Sequence, residues 1–216
     1  MSTIKVTNLR NESSGTNNLV LTSGGDTQIT GALGLGGATY GTSGQVLTSA
    51  GSGSTPTWAD VSASNLTRGT EVSATGSSVL FSSIPSGVRR ITLILDSVSL
   101  SGADNLLVQI GDSGGLETTG YVSRAQYMDN SSTGASTSTS GFLHWSSGSA
   151  FASRGTFVLV NMSGNKWVST GITTNDSVTN LSSGVKTLSG TLTQIALDTT
   201  GTNSFDGGNV NIFYEV

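Results

Sequence analysis

The first 65 residues set the tightest limit on what this chain can fold into. Their apolar clusters are short: Leu19-Val20-Leu21, Leu33-Gly34-Leu35 and Val46-Leu47. Turn-forming stretches separate them, among them Ser23-Gly24-Gly25-Asp26, Gly36-Gly37 and Ala50-Gly51-Ser52-Gly53. Ordering a backbone costs about 1–2 kcal/mol per residue. A lone segment of this length and composition buries too little surface to offset that. It is expected either to remain a flexible Gly/Ser linker or to order against identical copies of itself. One internal echo favours order: Val20-Leu21-Thr22-Ser23-Gly24-Gly25 returns as Val46-Leu47-Thr48-Ser49-Ala50-Gly51, 26 residues later. A short strand running into a glycine turn, used twice, fits a stalk of small β units.

From residue 66 the pattern changes to that of a globular β domain. Strands are predicted at Arg90-Ile91-Thr92-Leu93-Ile94-Leu95 and Asn105-Leu106-Leu107-Val108-Gln109-Ile110. Others are predicted around Phe142, over Thr156–Val160 and Lys166–Thr170, around Ile195, and from Asn209 to Val216. No segment repeats apolar residues at helical spacing. The polar residues are hydroxyls rather than ions: 37 Ser and 31 Thr, with 30 Gly, against 10% charged residues. Such a composition suits strands and turns. The expected fold is all-β: residues 1–65 form an N-terminal stalk or attachment region, and residues 66–216 an antiparallel, jelly-roll-like β-sandwich head. The Ser131–Ser140 stretch, almost wholly Ser, Thr, Gly and Ala, is expected as an exposed loop.

Composition also narrows function. The net charge is −4 and the only basic doublet is Arg89-Arg90, so nothing offers the clustered cations that nucleic acid demands. No apolar run is long enough to span a membrane, and the opening residues lack the apolar core of a secretion signal. There is no cysteine, which removes disulfides and thiolate metal sites. Asp96, Asp104, Asp112, Glu117 and Asp129 are scattered without metal-ligand spacing, and no cofactor is expected. Gly111-Asp112-Ser113-Gly114-Gly115 spells the surroundings of a chymotrypsin-like nucleophile. However, the single histidine, His144, follows the serine, and that family's base precedes it. The same five residues make an ordinary turn, in which Asp and Ser bond the backbone and Gly takes positive φ. No catalytic residue is therefore expected.

Two stretches carry a family resemblance. The run from Gly41 to Trp58, Gly-Thr-Ser-Gly-Gln-Val-Leu-Thr-Ser-Ala-Gly-Ser-Gly-Ser-Thr-Pro-Thr-Trp, resembles segments of tail-fibre and related virion proteins of tailed bacteriophages, especially marine and cyanobacterial ones. In those proteins such segments lead from a fibrous stalk into a C-terminal domain. The opening Met1-Ser2-Thr3-Ile4-Lys5-Val6 resembles their N-termini. Leu107–Tyr121 and the ending Gly208–Glu215 resemble their C-terminal β domains.

The resemblance implies a non-enzymatic homotrimer on the surface of a phage particle. Its N-terminal region would bind another virion protein, either a tail adaptor or the major capsid protein, and its head would attach to a host cell-surface glycan. The stalk is shorter than those of ordinary tail fibres. That leaves two locations open: a tail fibre or spike, and a capsid decoration, cement or head-fibre protein. A glycan depolymerase is a third and weaker alternative. In the trimer, Leu33, Leu35, Val46, Leu47 and Trp58 would pack on the shared axis, although Trp58 equally suits the core of the head. Tyr121, Tyr127, His144, Trp145 and Trp167 are the candidate receptor contacts. For each of them a place in the core is the more ordinary role.

Overall fold

The computed structural model describes residues 8–9, 19–21, 24–29, 32–35, 39–61, 65–145, 151–175 and 177–216. The opening residues 1–6 and Gly36-Gly37, singled out above, lie outside them. The described residues contain strands and no helix. The chain divides into two units, Met1–Ala63 and Ser64–Val216.

Among its described residues the N-terminal unit has five very short strands. β1 (Asn8–Leu9), β2 (Leu19–Leu21) and β3 (Thr27–Ile29) pair antiparallel in chain order. β4 (Gln45–Thr48) and β5 (Thr57–Asp60) form a separate hairpin with Leu47 opposite Trp58. Both copies of the echoed sequence are the first strand of a hairpin, β2 with β3 and β4 with β5. Gly41 is needed where it stands. Its φ is +69°, and a Cβ there would lie 2.8 Å from the Trp58 ring.

The C-terminal unit is a β-sandwich. Its large sheet contains β6 (Leu66–Arg68), β7 (Val72–Ser73), β9 (Arg90–Leu100), β12 (Val122–Met128), β13 (Thr133–Ser138), β15 (Ser153–Ser163), β16 (Lys166–Thr174), β17 (Thr179–Thr187) and β19 (Phe205–Glu215). The order is β13-β12-β17-β16-β15-β9-β19-β6, with β7 also on β19. The smaller sheet runs β11-β10-β18-β8, with β14 also on β10. Its strands are β8 (Val79–Phe81), β10 (Leu106–Asp112), β11 (Gly115–Leu116), β14 (Phe142–His144) and β18 (Gln194–Thr199). All pairings are antiparallel.

Alternation explains the core. In β9 the inward residues are Ile91, Leu93 and Leu95, and then Val98 and Leu100. The phase slips by one residue at Ser97, a non-glycine residue with φ of 56°. Opposite the slip, Gly208 has φ of +87°, and a Cβ there would lie 2.3 Å from the Ser97 carbonyl oxygen. This is a β-bulge that only glycine can face. Ile91, Leu93, Phe157 and Leu159 of the large sheet share one buried cluster with Val108, Ile110, Ile195 and Leu197 of the smaller one. Each such side chain contributes about 1.5–3 kcal/mol on burial.

One expectation needs correcting. Within the stretch expected as a loop, Thr133–Ser138 is the edge strand β13, paired along its length with β12. Asp129 builds the turn before it, its Oδ1 accepting the Ser131 amide at 2.7 Å. With the turn closed by that carboxylate, a Ser/Thr run suffices for an edge strand.

Candidate functional site

Gly111–Gly115 is a tight hairpin. Asp112 pairs with Gly115, and Ser113 and Gly114 form the turn between β10 and β11. Asp112 Oδ1 accepts the Gly114 amide at 2.8 Å. His144 pairs with Leu106, seven residues down β10 from Ser113, or roughly 23 Å at ordinary strand rise. The histidine cannot reach that hydroxyl. Among the described residues, no three His, Asp or Glu side chains come together to hold a metal ion.

The five aromatic candidates separate into two kinds. Tyr121, His144 and Trp167 are buried, although Trp167 lines a cavity together with Arg89, Asn161 and Leu192. The Tyr121 hydroxyl accepts the Ile110 amide at 2.8 Å and donates to the Ile110 carbonyl at 3.2 Å. Its ring meets Phe142 edge-on, with centroids 5.0 Å apart. Burial, the leading cause, raises the phenol's pKa well above its ordinary value. Tyr121→Phe is expected to cost about 1–3 kcal/mol, because it strands the Ile110 N–H inside the core. Urea denaturation would read this as a lower midpoint at unchanged slope. His144 lies with Nδ1 2.9 Å from Thr173 Oγ1 and Nε2 3.2 Å from Ser153 Oγ. Tyr127 and Trp145 differ from these three. Both are half-buried, and their rings lie 4.7 Å apart at 39°, which leaves this pair as the aromatic surface of the sandwich among the five.

The sandwich also holds a charged cluster that sequence spacing did not reveal. Ser189 Oγ donates to Asp112 Oδ2 at 2.7 Å and to Glu117 Oε1 at 2.8 Å. Glu117 in turn pairs with the buried Lys186. Lys186 Nζ also donates to the Thr119 carbonyl at 2.8 Å and sits 5.2 Å from the Tyr121 ring centre. Burial works to raise the Glu117 pKa. Hydrogen bonds from Lys186 and Ser189 outweigh it and hold the carboxyl below its ordinary value. The Ser189 hydroxyl, first, and the Gly114 amide lower that of Asp112. The cluster is a structural clamp between residues far apart in sequence, with its charges already satisfied.

The N-terminal unit shows the opposite condition. None of its described residues is buried. Leu33, Leu35 and Trp58 are half-buried, while Val46 and Leu47 are each 47% exposed. Leu35, Thr39, Thr55, Pro56, Thr57 and Trp58 line a cavity of about 360 Å³. Among the described residues of this unit the Trp58 Nε1 is enclosed and has no hydrogen-bond partner. Trp58 belongs to β5. No protein-family model, curated protein or solved structure matches the chain.

Proposed function

We propose that this chain is a structural, non-enzymatic component of a bacteriophage particle. It is a homotrimer whose N-terminal unit joins it to a neighbouring virion protein and whose sandwich meets the host surface, with a glycan as receptor. The observation that carries this reading is the N-terminal unit without a buried residue among those described. Its aliphatic side chains and enclosed, unpartnered indole suit a chain that orders only beside copies of itself. Each side chain buried at a shared axis adds roughly 1.5–3 kcal/mol, repeated in every copy. Three copies also present three receptor sites, so weak single contacts combine into firm attachment. The Gly41–Trp58 resemblance to tail-fibre and related virion proteins supplies the particle, and the hydroxyl-rich, charge-poor composition agrees with it.

Light scattering on the purified chain tests the assembly. The expected mass is three times the 21.8 kDa of one chain. Leu33→Asp with Leu35→Asp is expected to shift it towards monomer. A wild-type monomer whose N-terminal unit is protected from hydrogen exchange sinks the reading. Imaging of particles labelled on this chain then distinguishes tail from capsid.

A further inference from the structure

We propose that the cavity lined by Arg89 and Trp167 at one end of the sandwich binds an acidic sugar, whose carboxylate pairs with Arg89. The inference rests on the glycan-receptor reading above and adds to it a site and a ligand charge. The cavity has a volume of about 370 Å³, within the range of small-molecule sites and enough for one sugar ring with its substituents. Three connections between strands form it: residues 82–89 between β8 and β9, the turn at Gly164 between β15 and β16, and residues 188–193 between β17 and β18. These connections are bonded to their neighbours. The Asn161 amide donates to the Arg89 carbonyl at 2.8 Å, the Leu188 amide to the Asn165 carbonyl at 3.0 Å, and the Ile84 amide to the Thr193 carbonyl at 2.9 Å. The site is thus built before a ligand arrives, which lowers the ordering cost of binding.

The chemistry of the lining selects the ligand. It holds one cation and no carboxylate, in a chain with 13 Asp and Glu against nine Lys and Arg. Glu215, whose backbone carbonyl accepts the Arg89 amide, pairs its carboxylate with Arg90 at 3.4 Å. Among the described residues the Arg89 guanidinium therefore has no acidic partner. A planar guanidinium with free donors takes a carboxylate through two parallel hydrogen bonds. Asn161 Nδ2 donates to the Gly164 carbonyl at 2.8 Å, which fixes that amide and leaves its Oδ1 as an acceptor. Asn165 and Thr191 add uncharged donors and acceptors to the same lining. Sugar hydroxyls donate and accept at once and match such a set, whereas a simple anion would leave the Asn161 acceptor unused. Trp167 and Leu192, both buried, form the apolar base of the cavity.

NMR titration of the full-length chain tests this. The probes are glucuronate, galacturonate and N-acetylneuraminate, with glucose as the neutral sugar and acetate as the bare carboxylate. At least one acidic sugar is expected to saturate the chain. Glucose, acetate and the Arg89→Gln variant are each expected to show binding weaker by at least about tenfold, the usual weight of a hydrogen-bonded charge. Arg124→Gln, on the exposed side of β12, is expected to bind like the parent. Both arginines are exposed, and thermal melts confirm that each variant folds. Acetate as tight as the acidic sugar, or glucose as tight, overturns the proposal. Binding that survives Arg89→Gln also overturns it and leaves the glycan reading standing, with the ligand elsewhere. If no acidic sugar binds, the proposal falls. A glycan array then separates the readings, since a neutral glycan bound there keeps the receptor reading and no glycan at all removes it too.

Discussion

Glu117→Gln is expected to destabilise the sandwich by about 3–5 kcal/mol, the usual consequence of leaving one charge of a buried pair without its partner. The asymmetry of this pair makes the effect large. The Lys186 side chain is 6% exposed, whereas that of Glu117 is 22% exposed. With the carboxylate gone, the ammonium has no counter-charge and keeps only neutral acceptors, the Thr119 carbonyl, the Tyr121 ring and the new amide oxygen, and water has little access to it. Lys186→Met is expected to cost less. Glu117 then faces solvent on one side and retains the Ser189 hydroxyl and amide, at 2.8 Å and 2.7 Å. The double variant is expected to recover most of the loss, giving a strong coupling in a double-mutant cycle. Thermal melts of the four chains measure this, with Glu117→Gln lower by roughly 10 °C. A Glu117→Gln chain within about 1 kcal/mol of the parent, the value of an exposed pair, refutes the buried-charge argument.

This clamp also marks a boundary of what can be read from sequence. Glu117, just after β11, and Lys186, on β17, are separated by 69 residues and meet only in the folded sandwich; no spacing rule connects them. The strands β9, β10, β15 and β19 were legible because their inward residues are Ile, Leu, Val and Phe in alternation. β17 was not, for a physical reason. Its inward positions are Asn180, Ser182, Gly184 and Lys186, while Leu181 and Val185 point outward. Its pattern is inverted, so periodicity alone assigns it the wrong face or none. Gly184 and, on β16, Gly171 are small because rings lie beneath: a Cβ on Gly184 would be 2.8 Å from Phe142, and a Cβ on Gly171 would be 2.6 Å from Phe157. β12 was hidden similarly, since its inward Ser123 serves as a hydroxyl acceptor for the Leu143 amide at 2.8 Å. The hairpin at Gly111–Gly115 was fully legible because Asp-Ser-Gly is local turn chemistry. The aromatic candidates divided as they did because a tyrosine or tryptophan beside strand formers gives no local sign of which face it takes.

The strand inversion bears on the proposed assembly. A sheet that hides Asn180 and Lys186 and displays Leu181, Ile172 and Val122 has spent apolar residues where a lone molecule gains nothing from them. The N-terminal unit repeats that arrangement with Val46 and Leu47. Two separate parts of the chain thus display aliphatic side chains without a covering surface among the described residues.

Acid is expected to weaken the sandwich well before its carboxylates titrate, through His144 alone. This imidazole is buried against Phe157, with ring centres 5.6 Å apart, and its nitrogens face the Thr173 and Ser153 hydroxyls. No carboxylate is among those contacts to support a charge. Desolvation pushes its pKa down from 6.5 to about 3. In the unfolded chain the same histidine takes up a proton near 6.5. Below that pH the unfolded state therefore binds one more proton than the folded state, and stability falls by about 1.4 kcal/mol per pH unit. The loss begins near pH 6.5 and continues towards pH 3. The lowered carboxyls of Glu117, Asp112 and Asp129 add their own losses only as pH falls through the ordinary carboxylate range. Because the chain has one histidine, the window between about pH 6.5 and pH 4.5 isolates it, with an expected loss of about 2.3 kcal/mol. Urea denaturation across that window should show the slope in the parent and a flat line in His144→Gln. Imidazole NMR signals that stay neutral in the folded parent down to pH 4.5 provide a check that needs no variant. A ring that protonates near pH 6 while the sandwich remains folded means water reaches it, and the steep acid dependence then disappears.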